Sequence, residues 1–204
     1  GVDENTPLQI GNILYSCTPE NMVTALDADT GKALWKFDPH AHSAEHVTCR
    51  GVGYYDVDAD TRLTPSQKAA LPDGICRQRL LISTVDARLI AIDAATGKPC
   101  ADFGKDGSVN LDEGLGQVDP LRSYSSSPPV IVGDVAVLGS YVRDNYTKDD
   151  PSGVVRAYDV KSGRLLWAWD SGRPDDAPMP GPGGSWTRGS VNAWSVFSAD
   201  PALG

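Results

Sequence analysis

The sequence predicts an all-β chain of four-stranded sheets packed around an axis, a β-propeller, and three observations predict it. A unit of alternating strand, tight turn and second strand occurs three times, as VTALDADTGKALWKFD from Val23, LIAIDAATGKPCADFG from Leu89 and VRAYDVKSGRLLWAWD from Val155. The turn aspartates Asp27, Asp93 and Asp159 are spaced 66 residues apart both times. No stretch carries the apolar period of a helix.

Each unit reads as a hairpin. The Asp and Thr or Ser of Asp-x-x-Thr/Ser-Gly accept and donate locally, while Gly31, Gly97 or Gly163 supplies the positive φ that closes the turn. Trp35 and Trp167 fall four residues after that glycine, placed to cover the turn of a neighbouring repeat. The second repeat has Ala101 there, with Phe103 nearby as a substitute. Two further strands precede each hairpin: 7–10 and 13–17, then 50–55 and 79–85 around an insertion at 56–77, then 129–132 and 135–141. Four antiparallel strands per repeat make a propeller blade. The blades are expected over residues 6–38, 49–104 and 126–170, with the start of a fourth over 192–204.

Three blades do not close a ring, so the sequence reads as an incomplete propeller whose remaining blades are its first partners. The formal net charge of -9 excludes nucleic acid and anionic lipid as partners, since binding either needs cationic neutralisation. No apolar run is long enough to span a bilayer, and no signal peptide opens the chain. The four cysteines, Cys17, Cys49, Cys76 and Cys100, have no zinc spacing. Two disulfides in an oxidising compartment are the leading reading, free buried thiols the other. The strand order permits the pairs 17–49 and 76–100, whereas 17–76 or 49–100 would cross a blade.

Blade topology also sorts the loops. The turn between the second and third strands of a blade and the link to the next blade share one rim, and the repeated Asp-x-x-Thr-Gly turns lie on the other. The first rim collects His46, Cys49 and Arg50, then residues 124–127, then Asp144, Asn145 and Tyr146, and finally Trp194. Its long, irregular links mark it as the functional mouth. Each residue also has a plain reading: His46 as a surface histidine, Arg50 as partner of an acid such as Glu45, Asp144-Asn145 as a turn, and Trp194 as inter-blade packing.

The runs HVTCRGVGYY from His46, SSPPVIVGD from Ser126, GSYVRDNYTKDDPSGVVRAYD from Gly139 and NAWSVFSADPALG from Asn192 resemble the membrane-bound dehydrogenases that use pyrroloquinoline quinone (PQQ), in the glucose/quinate/shikimate group. The resemblance implies an eight-bladed propeller facing the periplasm, attached to the inner membrane by an anchor. It implies oxidation of a sugar or cyclic polyol, glucose first, with electrons passed to ubiquinone. His46 matches the active-site histidine, and Arg50 the arginine that binds a quinone oxygen. Ser126 or Ser127 matches a hydroxyl near a PQQ carboxylate, and Trp194 the ring beneath the cofactor. Asp144 and Asn145 match the pair that holds a divalent cation, Ca²⁺ or Mg²⁺. The family's catalytic base, an aspartate, lies beyond Gly204, so the chain alone is expected to be inactive. A quinate or shikimate dehydrogenase and a non-catalytic propeller scaffold for protein binding are the alternatives. The soluble alcohol dehydrogenases of this chemistry carry a vicinal Cys-Cys pair before the arginine, where this chain has Ala44-Glu45 and His46.

Overall fold

The computed structural model describes residues 3–43, 48–71, 76–118, 123–143, 147–200 and 202–203. Three four-stranded antiparallel sheets follow one another along the chain, each with its strands in sequence order. The first comprises β1 (Leu8–Ile10), β2 (Ile13–Cys17), β3 (Val23–Asp27) and β4 (Ala33–Phe37). The second comprises β5 (Gly53–Asp56), β6 (Gln78–Ser83), β7 (Arg88–Asp93) and β8 (Ser108–Asn110), with the short helix α1 (Pro65–Ala70) in the insertion between β5 and β6. Thr64 caps α1 reciprocally with Gln67, and Pro65 stands where its missing N–H costs nothing. A two-residue ribbon pairs β9 (Ser123–Tyr124) with β12 (Tyr141–Val142). The third sheet is β10 (Val130–Val132), β11 (Val135–Leu138), β13 (Val155–Asp159) and β14 (Leu165–Trp169). The chain is thus a three-blade portion of a β-propeller.

The strand sequences explain the packing. β6 and β7 bury residues on both faces, because the second sheet lies between the other two. Leu80, Ile82, Ile90 and Ile92 meet Tyr15, Val23 and Ala25 of the first sheet. Leu81, Leu89 and Phe103 meet Ala136, Leu138, Tyr158 and Val160 of the third. The face of the third sheet turned away from the second carries Val135, Val137, Val155 and Trp167, which line a groove of about 970 Å³ together with Phe197 and Leu203.

The turns are near copies. Asp27 accepts from the Thr30 amide at 2.8 Å and its hydroxyl at 2.7 Å, and Asp93 does the same with Thr96 at the same distances. Asp159 does so with Ser162, at 2.7 Å for both. Gly31, Gly97 and Gly163 have φ of +69°, +71° and +71°. Trp35 covers the next turn, its ring so close that a Cβ on Gly97 would lie 2.5 Å from Cε3. Phe103 covers the turn after that, with Cε1 3.3 Å from the place a Cβ on Gly163 would take.

The second hairpin departs from the expected form. Its outer strand does not follow the Gly97 turn directly. Pro99 makes a single bridge to Ile92, and the paired strand forms only at β8, opposite Arg88–Ile90. Pro99 has no amide to continue a ladder, and Cys100 is tied by a disulfide to Cys76. The other disulfide joins Cys17 to Cys49, and the described residues hold no free cysteine. No helix among them is long and apolar enough to cross a membrane.

Candidate functional site

The rim predicted to be the mouth is assembled by links between blades. Asn21, in the β2–β3 turn, accepts from the Val85 amide at 2.8 Å and donates to the Thr48 carbonyl at 3.4 Å, which draws two turns and a link together. The Cys17–Cys49 disulfide fixes the same link one residue before Arg50.

Four of the residues singled out from sequence meet here. Arg50 Nη1 donates to Ser126 Oγ at 2.7 Å, and its guanidinium carbon lies 5.2 Å from the centroid of the Trp194 ring. Ser126 Oγ donates in turn to the Trp194 carbonyl at 3.1 Å, and Ser127 Oγ donates to the same oxygen at 2.7 Å. These residues come from three separate stretches of chain, so their meeting is a property of the fold. His46, Asp144, Asn145 and Tyr146 lie outside the described residues.

A fifth member was not singled out. Glu4 Oε2 lies 2.7 Å from Arg50 Nη2 and also accepts from the Thr48 hydroxyl at 3.3 Å. Its neighbours hold it there: Asn5 donates to Ser16 at 3.0 Å and accepts from the Cys17 amide at 3.2 Å, and the Thr6 amide donates to the Arg50 carbonyl at 3.1 Å. Glu4 sits in no motif. Its one legible signal is position: a segment entering the first strand of a blade falls on this rim.

Arg50 is therefore held on two sides, by Glu4 and Ser126, while the Trp194 ring is 46% exposed. Because the Arg50–Glu4 pair is partly solvated, it contributes orientation more than stability. Ser125, Ser126 and Ser127 are all buried, and Ser140 Oγ is buried without a partner among the described residues. Tyr124 packs against Tyr141 beside this cluster, the rings tilted at 43° with centroids 5.4 Å apart. Burial, and then Tyr141, push its hydroxyl pKa up. A half-exposed indole with a guanidinium over it suits a flat, anionic, oxygen-rich ligand: the ring offers stacking and the guanidinium offers charge and its remaining N–H donors. The donor set fits PQQ on those grounds.

No metal centre emerges among the described residues. Cys76, Cys100 and Asp102 are close enough together for one, but both sulfurs are committed to the disulfide.

Comparison with known proteins gives a consistent picture. The family model for the PQQ glucose/ethanol/alcohol dehydrogenase β-propeller domain matches residues 2–204. Quinate/shikimate dehydrogenase (quinone) of Acinetobacter baylyi is 42% identical over 98% of this chain and 26% of its own length. Quinoprotein glucose dehydrogenase A of Acinetobacter calcoaceticus is 40% identical over 97% of this chain and 25% of its own length. Among solved structures, a quinohaemoprotein alcohol dehydrogenase from Pseudomonas putida matches with a TM-score of 0.64 and 25% identity, over 99% of this chain and 27% of that one. The chain thus spans about a quarter of the length of the relatives it matches.

Proposed function

This chain belongs to the β-propeller domain family of PQQ glucose/ethanol/alcohol dehydrogenases, and from that premise we propose that it is one part of the propeller of a dehydrogenase oxidising a sugar or cyclic polyol. The observation that carries the reading is Arg50, held between Glu4 and Ser126 with its guanidinium over the half-exposed ring of Trp194. The relatives named for quinate/shikimate, glucose and glycerol are nearly equal in identity, which supports a polyol as substrate without choosing among the three.

When bound, PQQ supplies the two-electron acceptor for an alcohol carbon. Trp194 would offer its ring as the floor for that cofactor, and Arg50 would orient it with a fixed positive charge toward a quinone oxygen. Ser126 and Ser127 give their hydroxyl protons to the Trp194 carbonyl, so they hold the main chain of the ring, and donating to a PQQ carboxylate would require a hydroxyl to turn away from it. By the family resemblance, His46 would act beside the cofactor, and Asp144 with Asn145 would hold a divalent cation, Ca²⁺ or Mg²⁺, through hard oxygens. Glu4 is committed to Arg50 and Thr48, so the base that takes the alcohol proton is another residue of the whole protein.

The remaining blades belong in the same reading. Trp167 is 46% exposed on the open face of the third sheet, in the place where Trp35 and Phe103 cover the following turn. We place a further blade there. Two disulfides accord with a periplasmic location, and attachment to the inner membrane with ubiquinone as electron acceptor completes the proposal.

The test is dye-linked oxidation by the full-length protein loaded with PQQ and Ca²⁺ or Mg²⁺, across glucose, quinate, shikimate and glycerol. Turnover of at least one polyol supports the reading; a protein that oxidises none and binds no PQQ overturns it.

A further inference from the structure

The ring of Trp194 is placed by residues that do not touch it. Main chain 191–193 lies directly on the backbone around the third sheet. A Cβ on Gly139 would strike the Ala193 carbonyl, and one on Gly153 would strike the Val191 carbonyl and come within 2.6 Å of the Asn192 Cα. Each obstacle is backbone, which no change of rotamer can move aside. Neither glycine has a positive φ, so close approach rather than turn conformation demands glycine at both places. Asn192 Nδ2 adds a hydrogen bond to the Val142 carbonyl at 3.3 Å.

The serine run is tied to the same point. Ser125 Oγ donates to the Gly139 carbonyl at 2.9 Å, while Ser127 Oγ donates to the Trp194 carbonyl at 2.7 Å and its own carbonyl accepts from Ser83 Oγ at 3.0 Å. The main chain just before Trp194 is therefore pressed onto Gly139 and Gly153, and the Trp194 carbonyl is held by Ser127.

We propose that Gly139 and Gly153, with Ser127, are positioning residues for Trp194: the absent Cβ atoms and the hydroxyl fix the height and tilt of the indole on which a planar ligand stacks. The proposal rests on the reading of this rim as a PQQ seat. A small displacement of a stacking surface costs dispersion contact over the whole cofactor face, so the glycines act on cofactor affinity without touching the cofactor.

The test uses the full-length protein labelled with 5-fluorotryptophan, the Trp194 resonance being assigned as the one missing in Trp194→Phe. Gly139→Ala, Gly153→Ala and Ser127→Ala are compared for the ¹⁹F shift of Trp194 without cofactor and for PQQ affinity by titration. Each variant is expected to move the Trp194 resonance and to weaken PQQ binding by about tenfold or more. In a Trp194→Ala background, Gly139→Ala and Ser127→Ala should change affinity further by less than about twofold, because they act through the ring. Ser127→Ala introduces no clash, so it keeps the test decisive if a glycine variant fails to fold. An unmoved Trp194 resonance, or the same fold-loss with and without Trp194, overturns the proposal. If the wild-type protein binds no PQQ, the cofactor reading fails, and the ¹⁹F shift still decides whether these residues place the ring.

Discussion

Arg79 donates through Nη1 to the Val160 carbonyl at 3.2 Å across the joint between the second and third sheets. Ala94 holds the equivalent position in the preceding joint, one residue after the turn aspartate, and its carbonyl accepts from Tyr15 at 3.0 Å and the Trp35 indole at 3.1 Å. Phe103 fills the space of a tryptophan in the second joint but has no N–H. Arg79 supplies that donor, braced by the Cys76 carbonyl at 3.0 Å and Asp102 at 3.0 Å. Arg79→Met strands the carbonyls of Val160 and Lys161 and is expected to cost roughly 3 kcal/mol. Trp35→Phe leaves Tyr15 on Ala94 and should cost about 1 kcal/mol for the lost hydrogen bond. Urea unfolding of both variants measures the difference, and equal losses would refute the assignment.

Gly31 and Gly97 separate turn strain from docking. Both have positive φ, but a Cβ on Gly31 meets nothing within 4 Å, whereas one on Gly97 meets the Trp35 ring. Gly31→Ala should cost only the backbone strain, about 1 kcal/mol. Gly97→Ala should cost at least about 1 kcal/mol more, because Trp35 must shift, and should change the Trp35 environment in near-ultraviolet circular dichroism.

The two disulfides should differ in their consequences. Removing either is expected to lower stability by about 2–4 kcal/mol through release of a closed loop. Only Cys17–Cys49 adjoins Arg50, so its serine double variant should also weaken ligand binding at the rim. The Cys76–Cys100 double variant should lower the melting temperature while leaving affinity near wild type.

Two aspartates should respond to pH in opposite senses. Burial pushes the Asp170 pKa up, but amides of Thr187 and Gly172 donating to it, and then Arg173, more than offset this and hold it below the usual value. A lowered folded pKa means stability present above the ordinary value near 3.9 and lost as pH falls through the folded one. Asp170→Asn should therefore destabilise at pH 7, with the gap to wild type closing below about pH 4. Asp112 is raised, chiefly by burial, against the pull of Arg156. Its charged form is disfavoured in the fold, so Asp112→Asn should stabilise at pH 7, and that gain should vanish in acid. Melting temperatures between pH 3 and 7 check both.

Much of this was legible because the propeller writes its rules locally. The Asp-x-x-Thr/Ser-Gly turns carry their own hydrogen bonds, and a fixed spacing exposes them as repeats. Sorting links by rim was enough to bring Arg50, Ser126, Ser127 and Trp194 into one neighbourhood. Glu4 escaped because no local chemistry marks it; it matters through Arg50, 46 residues away in sequence. The delayed strand β8 escaped because Pro99 and the Cys76–Cys100 bridge override the pattern of the repeat. The importance of Gly139 and Gly153 comes from backbone 191–193 pressing on them, which neither residue's own surroundings in sequence could reveal.

The central claim, that Arg50 and Trp194 form the seat of a planar quinone, is tested most directly by titrating PQQ into the full-length protein and following its visible absorbance. Saturable binding with one cofactor per protein is expected. Arg50→Leu should weaken it by at least about tenfold, because a fixed cation is removed from the seat of an anionic ligand. Trp194→Ala should weaken it comparably, while both variants keep wild-type circular dichroism. No saturable binding by the wild-type protein, or wild-type affinity in both variants, would contradict it.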